Sequence, residues 1–377
     1  MEQFLRGLLH DLERRCIFVR DRLVAISSDP DLAQHALGAY QLVESARREV
    51  AAVLADPSLG TADLLSIHLL TYKRWHEQAT FVEFFPLPFL ERYAAPDRRL
   101  TRLCRRLTQQ VNWPLPSPLV GAFSNNYYWT LADFSLICAP AAEGVTLLGL
   151  PDLCHELGHI LLVRYEGAII GDIVQELTAY VAQEQRQAES DQRPGDHREV
   201  YEGLLALWRD AWVREFASDM IATYLVGPAF GWQHVRLCAS LSHAAYHPAL
   251  GEAAEHPADA ARLRGVVAVL DHLGRVADGE RVRVLWDQYM AATGEDRPLG
   301  YAVCYPHALI DSLAARVIAG CQTLGIRSFQ DSSDAAGDLV SLLAGAWEQF
   351  LTTPQTYTTW EDLRLTALWS DLEGDGP

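Results

Sequence analysis

The sequence predicts a mostly α-helical chain with one small β-sheet, an α+β class. Three observations carry that expectation. Apolar residues recur three and four apart through most of the first 112 residues and again beyond Pro151. Between these stretches lie two short runs rich in aromatic and β-branched residues, Tyr127–Thr130 and Phe134–Pro140. Finally, 49% of the 377 residues are hydrophobic, including 10 Trp, 14 Tyr and 12 Phe, which is enough to bury a sizeable core.

Taken in chain order, residues 1–112 form a helical N-terminal region whose clearest segments are Asp31–Leu54 and Ala62–Phe84. Within the second, Trp75-His76-Glu77 reads as helix core and rim, since Thr80 and not a second His stands one turn after His76. Prolines at 86, 88, 114, 116 and 118 punctuate the chain beyond Phe84, and Trp113–Pro118 reads as a linker. The two short runs come next as strands, the second ended by Pro140 and Gly144. Helices are expected at about 151–165, 172–187, 198–226, 228–245, 257–276, 304–323 and 335–352, with a loop at 191–196 and a frayed polar tail from Ser370 to Pro377. Residues 113–300 thus form a central region and 301–377 a helical C-terminal one.

A formal net charge of -18 disfavours nucleic acid, whose phosphates need a basic patch. The arginines at 98, 99, 102, 105 and 106 alternate with Leu100, Leu103 and Leu107 at helical spacing, which makes them a solvated helix face. Seven scattered cysteines without a CxxC pair suggest core residues, neither a disulfide framework nor a thiolate zinc site. Residues 1–15 are amphipathic and carry acids, unlike a signal peptide. No run reaches the ~18 uninterrupted apolar residues of a spanning helix. A cytoplasmic protein with no membrane span is the expectation.

The chemistry concentrates in Cys154-His155-Glu156-Leu157-Gly158-His159-Ile160. On a helix His155 and His159 project from one face, one turn apart, so two ring nitrogens can reach one metal ion. Glu156, rotated about 100° from His155, is placed to act as general base rather than as a ligand. Pro151 and Asp152 suit a helix start, and Leu153, Leu157, Ile160, Leu161 and Leu162 bury the helix. Zinc is the expected ion, and a zinc-activated water attacking a peptide bond the expected reaction.

A catalytic zinc takes three protein ligands. Glu215, in Glu215-Phe216-Ala217-Ser218-Asp219, is the preferred third, with Asp219 one turn later able to orient an imidazole. Glu176 is the rival, although Tyr180 stands where its supporting acid would be.

The pairing of HExxH with ExxxD on a second helix resembles the gluzincin metallopeptidases. Glu215–Asp219 is similar to the segment of the clan containing the CAAX prenyl proteases, and His256-Pro257 with Arg262 resembles a further element of those proteins. The likeness spans roughly residues 130–265. It implies a zincin-like catalytic core, His155, His159 and Glu215 as zinc ligands, Glu156 as catalytic base and Asp219 behind the ligands. The chain departs from that clan in lacking membrane spans and in a longer spacer before Glu215.

Oxyanion stabilisation has several candidates: His256, the stretch Ser242-His243 to Tyr246-His247, and Tyr305-Pro306-His307. His256 is the preferred catalytic group among them, beside a helix-start role conferred by Pro257. Cys154 reads as a packed thiol. By analogy with gluzincins, Phe134–Ala139 either lines the cleft as an edge strand or is an ordinary core strand. No phosphate loop and no GxSxG elbow is present. The sequence therefore predicts a zinc metallopeptidase acting on a peptide or protein. Two alternatives are a helical scaffold with a structural zinc and a protease kept latent by its N-terminal region.

Overall fold

The computed structural model describes the chain apart from residues 1, 58, 60–61, 125–126, 141–145, 194–196, 241–243, 333–337 and 375–377. It is mostly helical with one small three-stranded mixed sheet, as the periodicities predict. The chain divides into two compact units. The first holds Met1–Thr101, Pro118–Phe123 and Leu131–Cys138, and the second holds the remainder.

In the first unit α1 (Glu2–Ile26) packs along α2 (Pro30–Ala55), followed by α3 (Ala62–Phe84) and α4 (Pro86–Arg92). Helix α1 buries Leu5, Leu9, Leu12, Cys16, Val19 and Leu23, a stripe at three- and four-residue spacing. Asp29 caps α2 by accepting from the Asp31 N–H, and Pro30 sits at the first helical position, where no N–H is needed. His76 does serve the helix rim, its Nε2 meeting an Arg15 nitrogen at 2.9 Å, while Trp75 is buried.

Helix α5 (Ala95–Gln110) leads into the sheet of β1 (Leu119–Ser124), β2 (Trp129–Leu131) and β3 (Leu136–Pro140), in the order β1-β3-β2. Two expectations change here. Strand β1 was hidden by the Pro118 and Gly121 breakers that flank or interrupt it. Strand β3 is the middle strand and wholly buried, so it offers no free edge for an extended substrate. Phe134 itself closes a 3₁₀ turn, and Ser135 turns the chain with a φ of 53°. Gly144, expected to end the strand, lies outside the described residues.

The second unit continues with α6 (Pro151–Ile169), α7 (Ile173–Ser190), α8 (His197–Leu207), α9 (Val213–Val226) and α10 (Pro228–Ser240). It ends with α11 (Asp259–His272), α12 (Val276–Thr293), α13 (Tyr301–Cys304), α14 (His307–Thr323), α15 (Leu339–Thr352) and α16 (Pro354–Gly374). The stretch expected as one helix over 198–226 is interrupted by a π-helical turn at Trp208–Trp212, immediately before α9. Helix α10 is described over Pro228–Ser240, residues 241–243 lie outside the described residues, and Ala244 and Ala245 are not helical. Helices α12 and α16 were not foreseen: α12 buries only Gly279, Val282 and Trp286, too narrow a stripe to stand out by periodicity. The expected tail is helical through Gly374.

Residues 301–377 belong to the same unit as the motif helix, because α14 packs on α6, α7, α9 and α11. The stretch Tyr301–Thr323 is long and apolar enough to cross a membrane by composition, with 44% of that window buried inside the protein. Of the segment Trp113–Pro118, expected as a linker, all but Pro118 lies in this unit; the neighbouring Asn112 side chain donates to the Gly325 carbonyl at 2.7 Å.

Candidate metal centre

The site forms where α6 crosses α9. The crossing is close because Gly158 has no side chain: a Cβ there would stand 2.7 Å from the Ser218 Cα. Real Cβ atoms do not approach backbone so closely, so the glycine sets the helix separation. On either side of that contact α6 presents His155 and His159, and α9 presents Glu215 and Asp219. Apart from the partly exposed His159, these residues are buried, and apolar side chains seal the crossing.

Ring and carboxylate atoms converge. His155 Nε2 lies 3.0 Å from His159 Nε2 and 3.6 Å from Glu215 Oε2, and His159 Nε2 lies 3.3 Å from Glu215 Oε1. Bonds of about 2.0–2.2 Å around a tetrahedral ion separate neighbouring ligands by about 3.3–3.6 Å. The three separations fall within a few tenths of that range, so the donor set fits a metal ion without rearrangement. The rings themselves meet edge to face at 83°, and His155 lies parallel to Phe230 with centroids 6.3 Å apart.

Behind the donors stands a chain of charged contacts. His155 Nδ1 donates to Asp219 Oδ1 at 2.8 Å, since a carboxylate there can only accept. That fixes the tautomer and leaves Nε2 to face His159 and Glu215. Asp219, with no exposed surface, also takes both prongs of Arg262: Nε to Oδ2 and Nη2 to Oδ1, each at 2.8 Å. On the other side His256 Nδ1 donates to Glu215 Oε2 at 3.0 Å, its own side chain 58% exposed. Every sequence candidate of this constellation, His155, Glu156, His159, Glu215, Asp219 and His256, is therefore gathered at one crossing.

The electrostatics derive from that arrangement. Burial works against charging every group here, and partners decide which groups charge nonetheless. Burial lowers the His155 imidazole, but Asp219 and Glu215 outweigh it and raise it to about 9. His159 is pushed down to about 4 by burial and by the neighbouring His155 charge. Burial opposes the Glu215 charge, yet His256, the two imidazoles and Arg262 hold its carboxyl at about 2. Asp219 stays well below the ordinary carboxylate range despite complete burial, because Arg262 and His155 face it. Glu156 moves the other way. Burial raises it to about 7, and its side chain makes no hydrogen bond to a described residue.

Other sequence candidates lie elsewhere. Glu176 does not approach the histidines: on α7 it accepts from Ser312 at 2.7 Å and pairs with Arg316, both on α14. Tyr305 is fully buried. Its hydroxyl donates to the Pro248 carbonyl at 3.1 Å and accepts from the Ala258 N–H at 3.0 Å, so it braces the segment leading into α11. His247 pairs with Glu252 at 2.8 Å. Ser242 and His243 lie outside the described residues. Cys154 is buried and its thiol pushed well up, as expected of a packed residue.

Sequence reasoning missed three participants. Gly158 carries no signal for its role without its partner helix, and the Phe230 ring against His155 is likewise visible only in space. The third is a second group of potential metal donors among the described residues, His234, Cys238 and Asp259, whose ligand atoms lie within 4.8 Å of one another. His234 and Cys238 stand one turn apart on α10, a spacing the sequence did offer. No protein-family model matches the chain, and neither a curated protein nor a solved structure matches it.

Proposed function

We propose that the protein is a zinc-dependent hydrolase of peptide bonds, with His155, His159 and Glu215 as ligands and Glu156 as general base. The observation that carries this reading is the convergence of two imidazole nitrogens and one carboxylate at ligand spacing, with Asp219 fixing the tautomer behind them. Three ligands suit a catalytic site, which keeps one position for water or substrate, better than a structural one. A zinc ion held there supplies Lewis acidity towards a carbonyl and lowers the pKa of water.

The protein's own groups do the remainder. Glu156, with a carboxyl poised near neutrality and no side-chain hydrogen bond to a described residue, takes a proton from water as it adds to the carbonyl and delivers it to the departing amine. Asp219 and Arg262 hold His155 in place, so the ligands need not reorganise during turnover. His256 steadies Glu215 through Nδ1, and in its imidazolium form the exposed ring also has an Nε2–H to donate to a developing oxyanion.

The test is zinc content and cleavage measured side by side. The zinc-loaded chain is incubated with a mixed peptide library and new amino termini are read by mass spectrometry. Glu156→Gln is expected to keep its zinc and lose at least a hundredfold in cleavage, the scale of a removed general base. Cleavage undiminished in Glu156→Gln, or as much zinc per chain in both His159→Ala and Glu215→Ala as in wild type, overturns the proposal.

A further inference from the structure

The second donor group shares no ligand with the first and is built differently, although Arg262, the partner of Asp219, also acts on Asp259 and Cys238. His234 and Cys238 project from one face of α10, and Asp259 is the first residue of α11. His234 is 1% exposed, Cys238 3% and Asp259 6%. Helix α12 covers them: Trp286 stacks on the His234 ring with centroids 6.4 Å apart, and the Tyr289 hydroxyl donates to the Cys238 carbonyl at 3.1 Å. The helices come this close because Gly231, one turn before His234, carries no side chain. A Cβ there would meet Val282 Cγ1 at 2.9 Å and Val266 Cγ1 at 3.1 Å.

Cys238 Sγ stands 3.7 Å from His234 Nε2, and Asp259 Oδ1 stands 3.9 Å from the same nitrogen. Bonds of about 2.3 Å to sulfur and about 2.1 Å to nitrogen or oxygen place tetrahedral neighbours roughly 3.4–3.6 Å apart. Both separations from His234 Nε2 are within a few tenths of an ångström of that range, and the Cys238 sulfur and Asp259 carboxylate lie within 4.8 Å of each other. Charge favours the same conclusion. A thiolate and a carboxylate together cancel a divalent cation, which makes the filled site neutral and reduces the cost of keeping it buried. The remaining cysteines, also buried, join no such group among the described residues.

We propose that His234, Cys238 and Asp259 form a second, buried metal site for a thiophilic divalent ion of the zinc class, its fourth position filled by the Asp259 carbonyl beside His234 Nε2, and that the ion ties α10 to α11. Filling it has a definite local cost. His234 Nε2 now donates to the Asp259 carbonyl at 3.1 Å. Coordination through Nε2 moves that proton to Nδ1 and releases the thiol proton to solvent, so binding liberates one proton per ion from Cys238.

The thiolate makes the site separately visible. The full chain is stripped with a chelator and refilled with Co²⁺ alone, and the near-ultraviolet thiolate-to-cobalt charge-transfer band is recorded with the metal stoichiometry. Wild type is expected to take two cobalt ions per chain and show the band. His159→Ala is expected to lose one ion and keep the band, and Cys238→Ser to lose one ion and the band. The two sites thus fail independently. Absence of the band in wild type at any loading, or an undiminished band in Cys238→Ser, overturns the proposal. Should Cys238→Ser lose its helical circular dichroism, Asp259→Asn replaces it: cobalt affinity at the banded site is expected to fall about tenfold or more, and unchanged affinity overturns the proposal.

Discussion

Glu215 and Glu176 are two glutamates on neighbouring stretches of the same unit, both downstream of the histidine pair, and their fates differ. Glu215 sits at the α6–α9 crossing, 9% exposed, with His155, His159 and His256 around its carboxylate. Glu176 sits at the α7–α14 contact, partly exposed, with Ser312 and Arg316. Both carboxyls lie below their ordinary range, but for different reasons. Hydrogen bonds from Ser312 and Arg316 lower Glu176, whereas Glu215 is lowered against the resistance of its burial. The Glu215 carboxylate is buried among ring nitrogens at ligand spacing, an arrangement that a divalent cation can bridge. A surface carboxylate paired to an arginine already has one. What separates them is the helix approach permitted by Gly158, and distance along the chain says nothing about it.

The largest effect is expected from the residue behind Glu215. Asp219→Ala strands the Arg262 guanidinium in the interior without its bidentate partner and frees the His155 ring. Breaking a buried pair in this way costs about 3–5 kcal/mol, to be read from chemical denaturation of the metal-free chain. A loss under about 1 kcal/mol would mean that water reaches Arg262 and that the crossing is no more buried than the Glu176 contact.

Metal sharpens the comparison next. Zinc at about a hundred times its Kd stabilises a folded chain by about 2.7 kcal/mol for one site. Thermal unfolding with and without zinc should give an increment smaller by about that amount in Glu215→Ala than in Glu176→Ala, with the His234 site contributing equally to both. Equal losses in the two variants would erase the distinction between the glutamates.

These contrasts also show how far the sequence could be read. The α+β class came from the side-chain periods alone, and so did most helices, because a buried stripe repeats every three to four residues whatever it packs against. His155, Glu156 and His159 were legible for the same reason, being one turn of one helix. Glu215 with Asp219 was legible as a spaced acid pair in an apolar helix. Strand β1, the π-helical turn at Trp208–Trp212 and helix α12 were not, because breakers or a narrow buried stripe obscure the period. The Arg262 fork on Asp219 needed three dimensions altogether. The His234–Cys238 pair shows an intermediate case: its spacing is visible along the chain, but its third member stands on the next helix.

A smaller effect tests the geometric cause. Gly158→Ala places a methyl against the Ser218 backbone, and overpacking of this kind costs about 1–3 kcal/mol, less the helix-propensity gain of about 1 kcal/mol for replacing glycine. Zinc affinity should fall with stability, since the ligands sit on the two helices being pushed apart. Ser218→Gly should not rescue the variant, because the nearest atom is the Ser218 Cα, which glycine keeps. Full rescue would mean that the side chain, and not the backbone approach, sets the crossing.

The smallest effect belongs to Glu176. Its pair with Arg316 is partly solvated, so Glu176→Gln should cost at most about 1 kcal/mol at neutral pH. The sign of its pH dependence is fixed by the direction of its shift. A carboxyl depressed in the folded chain contributes stability above its unfolded pKa of about 4.3 and loses that contribution as pH falls through the lower folded value. Wild type and Glu176→Gln should therefore differ near neutrality and converge in acid, in denaturation midpoints taken at a series of pH values. A gap that widens in acid would mean that Glu176 is held protonated, and the contrast with Glu215 would then rest on charge state as well as on burial.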